Sequence, residues 1–451
     1  PPPPPPPPPL YPADDANRDS SLRLVGSEMC IRDRANISQN ALKVLYRLKE
    51  SGYQAHLVGG SVRDLLLGRE PKDFDVATDA HPEDVRRLFR NCRLIGRRFR
   101  LAHVMFGREI IEVATFRGRQ EPGDSNGAHH VDEDGRIVRD NVYGSIEDDA
   151  LRRDFTVNAL YYNIDDFSIT DYAGGMRDIE AGVLRLLGDP ETRYREDPVR
   201  MLRAVRFATK LGFRIEPETE QPISTLAPLL GDIPPARLFD EMLKLFMSGS
   251  ALDNFEMLRH YDLFRQLFPL TDDSLTHQEN EFPLTLINRG MANTDERVVA
   301  GKPVTPAFLF AVFLWEPVRY RAARLESEGQ TPAQALQHAG SQIIAEQAAV
   351  MATPRRFSLP MREIWMLQLR LERKGGRRSQ RVLDHPRFRA AYDFLLLRGE
   401  AGEVSQELCD WWTEYQDKHP EKREQETTKT RPRKRRRRRP RRRANTGDDQ
   451  V

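Results

Sequence analysis

The sequence of 451 residues has few cysteines and no long apolar run, and both absences restrict the class of protein. Its three cysteines, Cys30, Cys92 and Cys409, are far apart and form no Cys-x-x-Cys pair, which argues against a disulfide framework or a zinc site. The longest apolar run, 307–315, has nine residues, whereas a helix needs about 20 to cross a bilayer. We therefore expect a protein of the reducing cytoplasm with no membrane-spanning segment.

Acidic residues are absent from 429–443, where twelve of the fifteen residues are Lys or Arg. Because the formal net charge of the whole chain is only +2, the remainder carries −10. A mildly acidic body with a basic C-terminal tract predicts a polyanionic partner that is bound from one end. Aliphatic and aromatic residues also become rare after about residue 418, so we expect 418–451 to be disordered.

The first 34 residues lack the signals of a folded segment. Residues 1–9 are all proline, and 10–34 have neither a helical nor a strand period. They also lack the apolar core and the small-residue cleavage site of a secretory signal. We interpret 1–34 as a non-native or disordered leader, in which 27–34 is typical of a translated linker.

The densest group of reactive side chains lies between Leu57 and Asp75. An apolar strand signal ends in Gly59-Gly60 and is followed by a helical pattern that contains Arg63. Glycines let the backbone approach a phosphate closely, and the free N–H groups of a first helical turn favour negative charge. This order predicts an anion-binding turn, although a Gly-Gly pair by itself is more often a simple turn.

Asp73 and Asp75 follow in a short strand signal, where alternation puts both carboxylates on one face and Phe74 on the other. Two neighbouring carboxylates repel each other unless a cation lies between them, and two Mg²⁺ ions about 3.5–4 Å apart are usual in phosphoryl transfer. The alternative is a solvated strand end. The short distance in sequence from the glycine turn favours a catalytic pair.

Two weaker signals follow along the chain. Glu112 lies in a later strand signal whose neighbours point to the core, so it is either a third carboxylate of the site or a solvent-facing glutamate. His129 and His130, with Asp132, are the only hint of a metal-dependent nucleotide hydrolase. They lie in a stretch rich in Gly, Asp and Asn, which predicts a loop.

The segment 151–160 contains groups that suit a phosphate site. Arg152 and Arg153 offer forked donors that match phosphate oxygens. We expect a helix here, in which Asp154 acts as a cap or accepts a proton and Asn158 lies one turn further on the same face. The alternative is a capped helix with surface arginines.

A helix is predicted to start at Asp197 as its N-cap, with Pro198 at its first position. Asp197 as acceptor and Arg200 as donor can together read the edge of a nucleobase. The alternative is a helix cap beside a salt-bridged face. Arginines recur at every third position of this helix and form a polar stripe: Arg200, Arg203 and Arg206.

Five motifs in order resemble the motif set of the class II nucleotidyltransferases: GGSVRD (59–64), DFD (73–75), RRDFTVNAL (152–160), DYAGGMRD (171–178) and REDPVRMLRAVRF (195–207). This family, within the DNA polymerase β superfamily, comprises bacterial poly(A) polymerases and CCA-adding tRNA nucleotidyltransferases. The resemblance implies that Asp73 and Asp75 bind two Mg²⁺ ions and that the Gly59-Gly60 turn binds the triphosphate. It also places in the site Asp154, the Arg152-Arg153 pair and a base-reading pair, Asp197 and Arg200.

The resemblance and the periodicity predict the same fold class. Strand and helix signals alternate up to the turn at 171–178, which predicts an α/β (α+β) head with a mixed sheet, and helical patterns dominate beyond it. We read 171–178 as a hinge. The expected division is a leader 1–34, a catalytic head 35–178, a helical neck 179–245, a helical RNA-binding body 246–417 and a disordered tail 418–451.

Two features favour the poly(A) polymerase branch. The segment 94–103 resembles that branch, and the arginine tract suits an enzyme that holds many unrelated RNA 3′ ends by electrostatics. We expect a cytoplasmic monomer that adds AMP from ATP to RNA 3′ ends, promotes RNA turnover and meets RNA-decay proteins. CCA addition to tRNA is the nearest alternative. A non-catalytic RNA-binding protein is the second, and the presence of both Asp73 and Asp75 disfavours it.

Overall fold

A computed structural model describes residues 22–24, 36–96, 100–118, 129–131, 137–140, 142–276 and 282–419. Within these ranges, strands and helices alternate in the first half, and only helices follow the last short strand at Arg214–Ile215. The predicted fold class, a mixed-sheet head followed by an all-α region, is confirmed. No helix among the described residues is long and apolar enough to cross a membrane.

The strands are β1 (Leu22–Leu24), β2 (Ala55–Val58), β3 (Asp75–Thr78), β4 (Cys92–Ile95), β5 (Leu101–Phe106), β6 (Glu109–Thr115), β7 (His129–Val131), β8 (Ile137–Asp140), β9 (Leu160–Tyr162), β10 (Ile169–Asp171), β11 (Val183–Leu184) and β12 (Arg214–Ile215). The helices of the head and of the segment that follows it are α1 (Gln39–Glu50), α2 (Gly60–Leu66), α3 (Pro82–Leu88), α4 (Ile146–Leu151), α5 (Gly175–Ala181), α6 (Pro190–Glu196), α7 (Val199–Leu211), α8 (Pro217–Glu220), α9 (Ile223–Leu226) and α10 (Pro235–Phe246). The remaining helices are α11 (Ala251–His260), α12 (Leu263–Leu267), α13 (Pro269–Thr276), α14 (Phe282–Val299), α15 (Pro306–Phe313), α16 (Trp315–Ser327), α17 (Pro332–Val350), α18 (Arg355–Leu371), α19 (Gly376–Leu383), α20 (Phe388–Glu400) and α21 (Gln406–Asp417). Two 3₁₀ turns cover Thr156–Asn158 and Ala227–Asp232.

Eight strands form one mixed sheet in the order β1-β10-β9-β2-β3-β6-β5-β4. Strand β2 pairs antiparallel with β3, and the register places Val58 opposite Asp75. Strand β3 runs parallel to β6, and there Asp75 lies beside Glu112. The glycine turn that follows β2 and the aspartates that open β3 therefore meet at the same edge of the sheet.

Two local predictions differ from the structure. The helix expected at 151–160 is wrong: α4 ends at Leu151, and the Thr156–Asn158 turn leads into β9, which is buried between β2 and β10. The buried run at 160–162 suits a strand enclosed on both faces, which overrides the local helical signal. In the leader, β1 pairs with β10 although that segment has no strand period, since ladder hydrogen bonds use only backbone groups.

The interpretation of 171–178 as a hinge also changes. Asp171 is buried, and its carboxylate accepts the backbone N–H groups of Ala173, Gly175 and Met176 at 2.9–3.1 Å. A Cβ on Gly175 would lie 2.3 Å from the carbonyl oxygen of Thr156, so only glycine fits there. The motif packs tightly against the Thr156–Asn158 turn and holds it in place.

Apolar side chains form separate cores in the head and in the helical part. The head core lies between α1, α3 and the sheet. A large core runs without interruption from α7 to α18 and includes Leu245, Phe246 and Ala251, on both sides of the expected boundary between neck and body. A smaller core joins the end of α18 to α19, α20 and α21.

His56 in β2 should make the head sensitive to acid. Burial, with Lys49 nearby, lowers its pKa to about 4, against about 6.5 in an unfolded chain. Between these pH values the unfolded chain binds a proton that the folded chain does not, so the contribution to stability is complete above pH 6.5 and is lost as the pH falls to 4. The expected loss is about 3 kcal/mol.

Urea titrations of the wild type and of His56→Leu, at pH 7 and pH 4.5, test this expectation. The fall in the free energy of unfolding between the two pH values should be about 2–3 kcal/mol smaller in the variant. Equal falls in the two proteins would mean that His56 is not the group that titrates.

Candidate active site

The glycine turn lies between two arginines. Gly59 caps α2 with a φ of +77°, a conformation that favours glycine. A Cβ built on it would be 3.5 Å from Nη1 of Arg153, and one on Gly60 would be 3.4 Å from Nη2 of Arg63. The turn, whose predicted position is confirmed, therefore presents backbone to a region of positive charge.

Asp73 and Asp75 are both exposed, while Phe74 between them is buried in the head core. Strand β3 begins at Asp75, so Asp73 lies just before the strand, and the two exposed aspartates flank the buried ring of Phe74. Although Asp75 reaches solvent, protein atoms crowd its carboxyl, and this partial burial together with the charge of Glu112 raises its pKa to about 6. Both effects disfavour the ionised form of Asp75, and a cation beside it would stabilise that form.

Glu112 occupies the position beside Asp75 on β6, but its Oε2 lies 3.1 Å from Nε2 of His103. In the described part of the chain, no group of three His, Cys, Asp or Glu side chains already converges as a metal cage. His129 and His130 fall in β7, and Asp132 lies outside the described residues, as do 97–99 of the branch-specific segment. The structure thus places the two aspartates, with Glu112 next to them, as the carboxylate centre.

Arg63 points into the protein. It is 2% exposed, and its Nε and Nη2 both donate to Oδ1 of Asp64, at 2.9 and 2.6 Å. Its Nη1 donates to Oδ1 of Asn158 at 2.6 Å. This geometry gives Arg63 a positioning role under the glycine turn.

Arg153 is held rigidly. Its Nη2 donates to Asp149 and its Nε to the hydroxyl of Tyr161, both at 3.0 Å, and that hydroxyl donates to Asp149 at 2.6 Å. Arg152 lies 3.7 Å from the same carboxylate. Asp149 and Tyr161, which the sequence analysis missed, therefore fix the arginine that faces Gly59.

Asp154 forms an ion pair with Arg203 of α7 and accepts the Asn158 side-chain amide at 3.1 Å. Burial opposes ionisation of Asp154, but Arg203, Asn158 and the backbone N–H of Phe155 outweigh it, and its pKa falls to about 2. A carboxylate so firmly ionised is a poor proton acceptor. Its position supports an orienting role between the head and α7.

The start of the arginine-striped helix differs from its prediction. Asp197 closes α6, and Pro198 is the N-cap of α7. The Asp197 side chain therefore does not cap α7. Its Oδ2 accepts a hydrogen bond from Nη2 of Arg237 at 2.7 Å. Its buried Oδ1 has no hydrogen-bond partner among the described residues.

The three arginines of α7 have different surroundings. Arg200 donates to the carbonyl of Arg193 at 2.6 Å and to Glu196 at 2.9 Å. Arg203 binds Asp154, as above. Arg206 stacks on Phe207 at 4.7 Å, and its buried Nε has no partner in the described part of the chain.

Six polar residues form a chain of hydrogen bonds and ion pairs that begins and ends on α7 and passes through the head; we call it the polar ring. Lys210 donates to Asp64 at 3.1 Å, and the links from Asp64 through Arg63, Asn158 and Asp154 return to Arg203. Both ends of the circuit lie on α7, two helical turns apart. The ring therefore fixes α7 against the head and consists of Lys210, Asp64, Arg63, Asn158, Asp154 and Arg203.

Arg193 adds a further link that the sequence analysis missed. Its Nη2 donates to the carbonyls of Arg152 and Arg153, at 2.7 and 2.8 Å, and its Nε to that of Leu187 at 3.0 Å. No local motif identifies its contact with the head, because the carbonyls of Arg152 and Arg153 lie about forty residues away in the sequence.

Three families match successive parts of the chain. Residues 55–185 match the "Poly A polymerase head domain", 212–275 the "Probable RNA and SrmB- binding site of polymerase A", and 328–444 the "Polymerase A arginine-rich C-terminus". The first of these ranges contains the glycine turn and the aspartate pair.

Relatives and solved structures agree with these matches. Poly(A) polymerase I of Salmonella typhi is 50% identical over 90% of this chain and 89% of its own length. The CCA-adding enzyme of Lactobacillus johnsonii is 34% identical over 57% of this chain. A solved tRNA nucleotidyltransferase, complexed with a primer tRNA and an incoming ATP analog, has the same fold at 24% identity, with a TM-score of 0.58 over 84% of this chain and 98% of its own. The chain belongs to the poly(A) polymerase I family.

Proposed function

We propose that this protein is a template-independent polynucleotide adenylyltransferase, which transfers AMP from ATP to the 3′ end of RNA, releases pyrophosphate and so promotes RNA turnover. The observation that carries the proposal is the meeting of two exposed carboxylates with a glycine turn at one sheet edge, where the guanidinium of Arg153 lies against Gly59. Acidic groups, a phosphate-binding turn and fixed cations are what phosphoryl transfer requires.

Mg²⁺ fits this site. The ion usually takes one or two carboxylates and completes its shell with water and substrate phosphates, so the pair Asp73 and Asp75 suffices without a third protein ligand. The raised pKa of Asp75 supports the same assignment, because a carboxyl beside Glu112 favours a cation. Two bound Mg²⁺ ions would activate the RNA 3′-hydroxyl and neutralise the triphosphate.

The remaining site residues bind and orient the nucleotide. Backbone N–H groups of the Gly59-Gly60 turn and the guanidinium of Arg153 face the triphosphate, and Arg152 lies next to Arg153. Asp197 offers a buried oxygen, Oδ1, which has no partner among the described residues, to an exocyclic amine of the base. Arg200, whose guanidinium also donates to Glu196 and to the carbonyl of Arg193, is the proposed donor to the base. The buried Nε of Arg206 has no partner among the described residues, so it is a second candidate donor to the base.

The domain division follows from these roles. We assign the catalytic head to 35–178, the nucleotide-reading neck to 179–245 and the RNA-holding body to 246–417, with 1–34 as leader and 418–451 as a basic tail. The protein acts as a monomer in the cytoplasm, and proteins of RNA decay are its expected partners. The tract 429–443, which has no acidic residue, supports RNA as the substrate, because its positive charge suits any phosphate backbone.

Extension of two labelled substrates tests the proposal against CCA addition. An unstructured RNA and a tRNA without its terminal CCA are each incubated with Mg²⁺ and one nucleoside triphosphate at a time. We expect long tails from ATP alone on the unstructured RNA. Addition of CTP and then ATP, confined to the tRNA, would establish a CCA-adding enzyme instead.

A further inference from the structure

A group of exposed cations surrounds the junction of α18 and α19. The sequence has no acidic residue between Glu372 and Asp384. All six members of this group, which we call the basic patch, are solvent exposed: Arg370, Arg373, Lys374, Arg377, Arg378 and Arg381.

The patch differs from the arginines of α16. On α16, three arginines are each bound to a glutamate: Arg319 to Glu316, Arg321 to Glu346 and Arg324 to Glu328. Within the part of the chain that the structure describes, the five arginines of the patch have no carboxylate within ion-pair distance. The Nζ of Lys374 lies 4.0 Å from the carboxylate of the exposed Glu407, which is a long and weak ion pair. Nearby Glu372 is taken by Arg398 at 3.0 Å. The patch therefore keeps its positive charge for a partner.

The patch is also held in a fixed shape. Gly375 and Gly376 have φ values of +104° and +70°, which turn the chain sharply between the two helices. The N–H of Gly375 donates to the hydroxyl of buried Ser379 at 3.0 Å, and Val382 on the same face of α19 packs into the terminal core. Anchoring of one face of α19 leaves its arginine face directed outward.

Aromatic rings lie beside the patch on α21. The rings of Trp411 and Tyr415 stack at 4.8 Å, and those of Tyr415 and His419 at 4.4 Å. The Tyr415 hydroxyl donates to Gln380 of α19 at 3.4 Å, which places the row next to the basic patch. Trp411 and Tyr415 are half-buried and His419 is exposed, so the row continues from the core to the surface.

The arginine tract follows α21 in the sequence. Helix α21 ends at Asp417, and the tract begins at Lys429. A connection of about a dozen residues can span at most about 40 Å, so the first residue of the tract is within that reach of the end of α21.

We propose that the basic patch and the ring row of Trp411, Tyr415 and His419 together bind the single-stranded RNA upstream of the 3′ end. This inference rests on the proposed function, of which it names the RNA-holding surface. A charged surface that follows the backbone, with rings that stack on bases, is how proteins hold single strands without reading sequence. The arginines contact phosphates, and the two end rings of the row, Trp411 and His419, stack on bases while Tyr415 between them holds the row together.

A triple variant, Arg377→Gln with Arg378→Gln and Arg381→Gln, tests the patch in the full-length protein. Binding of a 25-nucleotide unstructured RNA is measured over a salt series, with KM for that RNA and for ATP. Each lost phosphate contact lowers the slope of log affinity against log salt by about 0.7, so a fall of about 2 is expected. KM for the long RNA should rise at least about fivefold, while KM for ATP stays unchanged.

The matched control removes the same charge from ion-paired arginines: Arg319→Gln with Arg321→Gln and Arg324→Gln. It should leave the salt slope within about 0.5 of wild type. Equal slopes in the patch variant and the wild type, or an equal loss in both triple variants, would overturn the inference.

A second variant, Tyr415→Leu, tests the ring row while it keeps the apolar contacts of the core. Affinity for the long RNA should fall at least about fivefold with an unchanged salt slope, because stacking carries no charge. Unchanged affinity would remove the rings from the site. Extension of a six-nucleotide primer by ATP reports on the active site alone, so its loss in the wild type would count against the proposed function and not against the patch.

Discussion

Asp75→Asn is expected to reduce AMP transfer at least about a thousandfold while the protein remains folded. The substitution removes one carboxylate of the proposed metal pair, and the stabilisation that such a ligand gives to transition-state charge is several kcal/mol. The side chain reaches solvent, and its buried neighbours Phe74 and Val76 hold the strand in place, so the amide adds no strain. Loss of the repulsion from Glu112 should leave the melting temperature equal or slightly higher.

Asp79→Asn is a suitable control for this variant. Asp79 lies just past the other end of β3, where its Oδ1 accepts the backbone N–H of Gln54 at 2.8 Å. Asparagine keeps that acceptor, so activity should stay within about twofold of wild type. Single-turnover extension with ATP gives the rates, and thermal unfolding verifies the fold. If Asp75→Asn kept more than a tenth of the activity, the aspartate pair would not be the catalytic centre.

The aspartate pair could be located from the sequence because its geometry is local. Alternation in the local sequence predicts that Asp73 and Asp75 differ from Phe74 in burial, and the structure has both aspartates exposed and Phe74 buried, with β3 starting at Asp75. The glycine turn is local in the same sense. Their meeting follows from the antiparallel pairing of β2 with β3, which needs only the short connection between them.

The roles of the arginines could not be predicted in that way. Arg63 lies three residues after Gly60 and resembles a phosphate ligand, yet its partner Asn158 is 95 residues away and draws it inward. Arg203 is one of three arginines with the same spacing, and only its pairing with Asp154, 49 residues earlier, distinguishes it from Arg200. Ion-pair partners chosen by tertiary packing leave no periodic signal.

The polar ring connects the head to α7 at two points. Two of its links, Lys210 to Asp64 and Arg203 to Asp154, cross between the head and the helix, and the others lie within the head. Phe207 projects between the two links, where the guanidinium of Arg63 lies 5.2 Å from its ring. A shift of the helix would therefore break both links together.

Arg63→Met should therefore lower the free energy of unfolding by about 3–5 kcal/mol, because it leaves a buried carboxylate and a buried amide without their partner. Methionine keeps most of the apolar volume, so the loss reports on the polar links. Urea titration of the full-length protein gives the change in stability. Extension assays at a temperature where the variant remains folded should give a raised KM for ATP, since Asn158 and Asp154 lose their orientation.

Lys210→Met separates the buried link from the exposed one. Lys210 binds the other oxygen of Asp64, but its side chain is 41% exposed, and such pairs contribute about 0–1 kcal/mol. A small loss for Lys210→Met beside a large one for Arg63→Met would place the strength of the ring in its buried half. Similar losses of unfolding free energy for Arg63→Met and Lys210→Met would contradict this. They would mean that solvent does not weaken the exposed link of Lys210, and that breaking either link separates the head from α7.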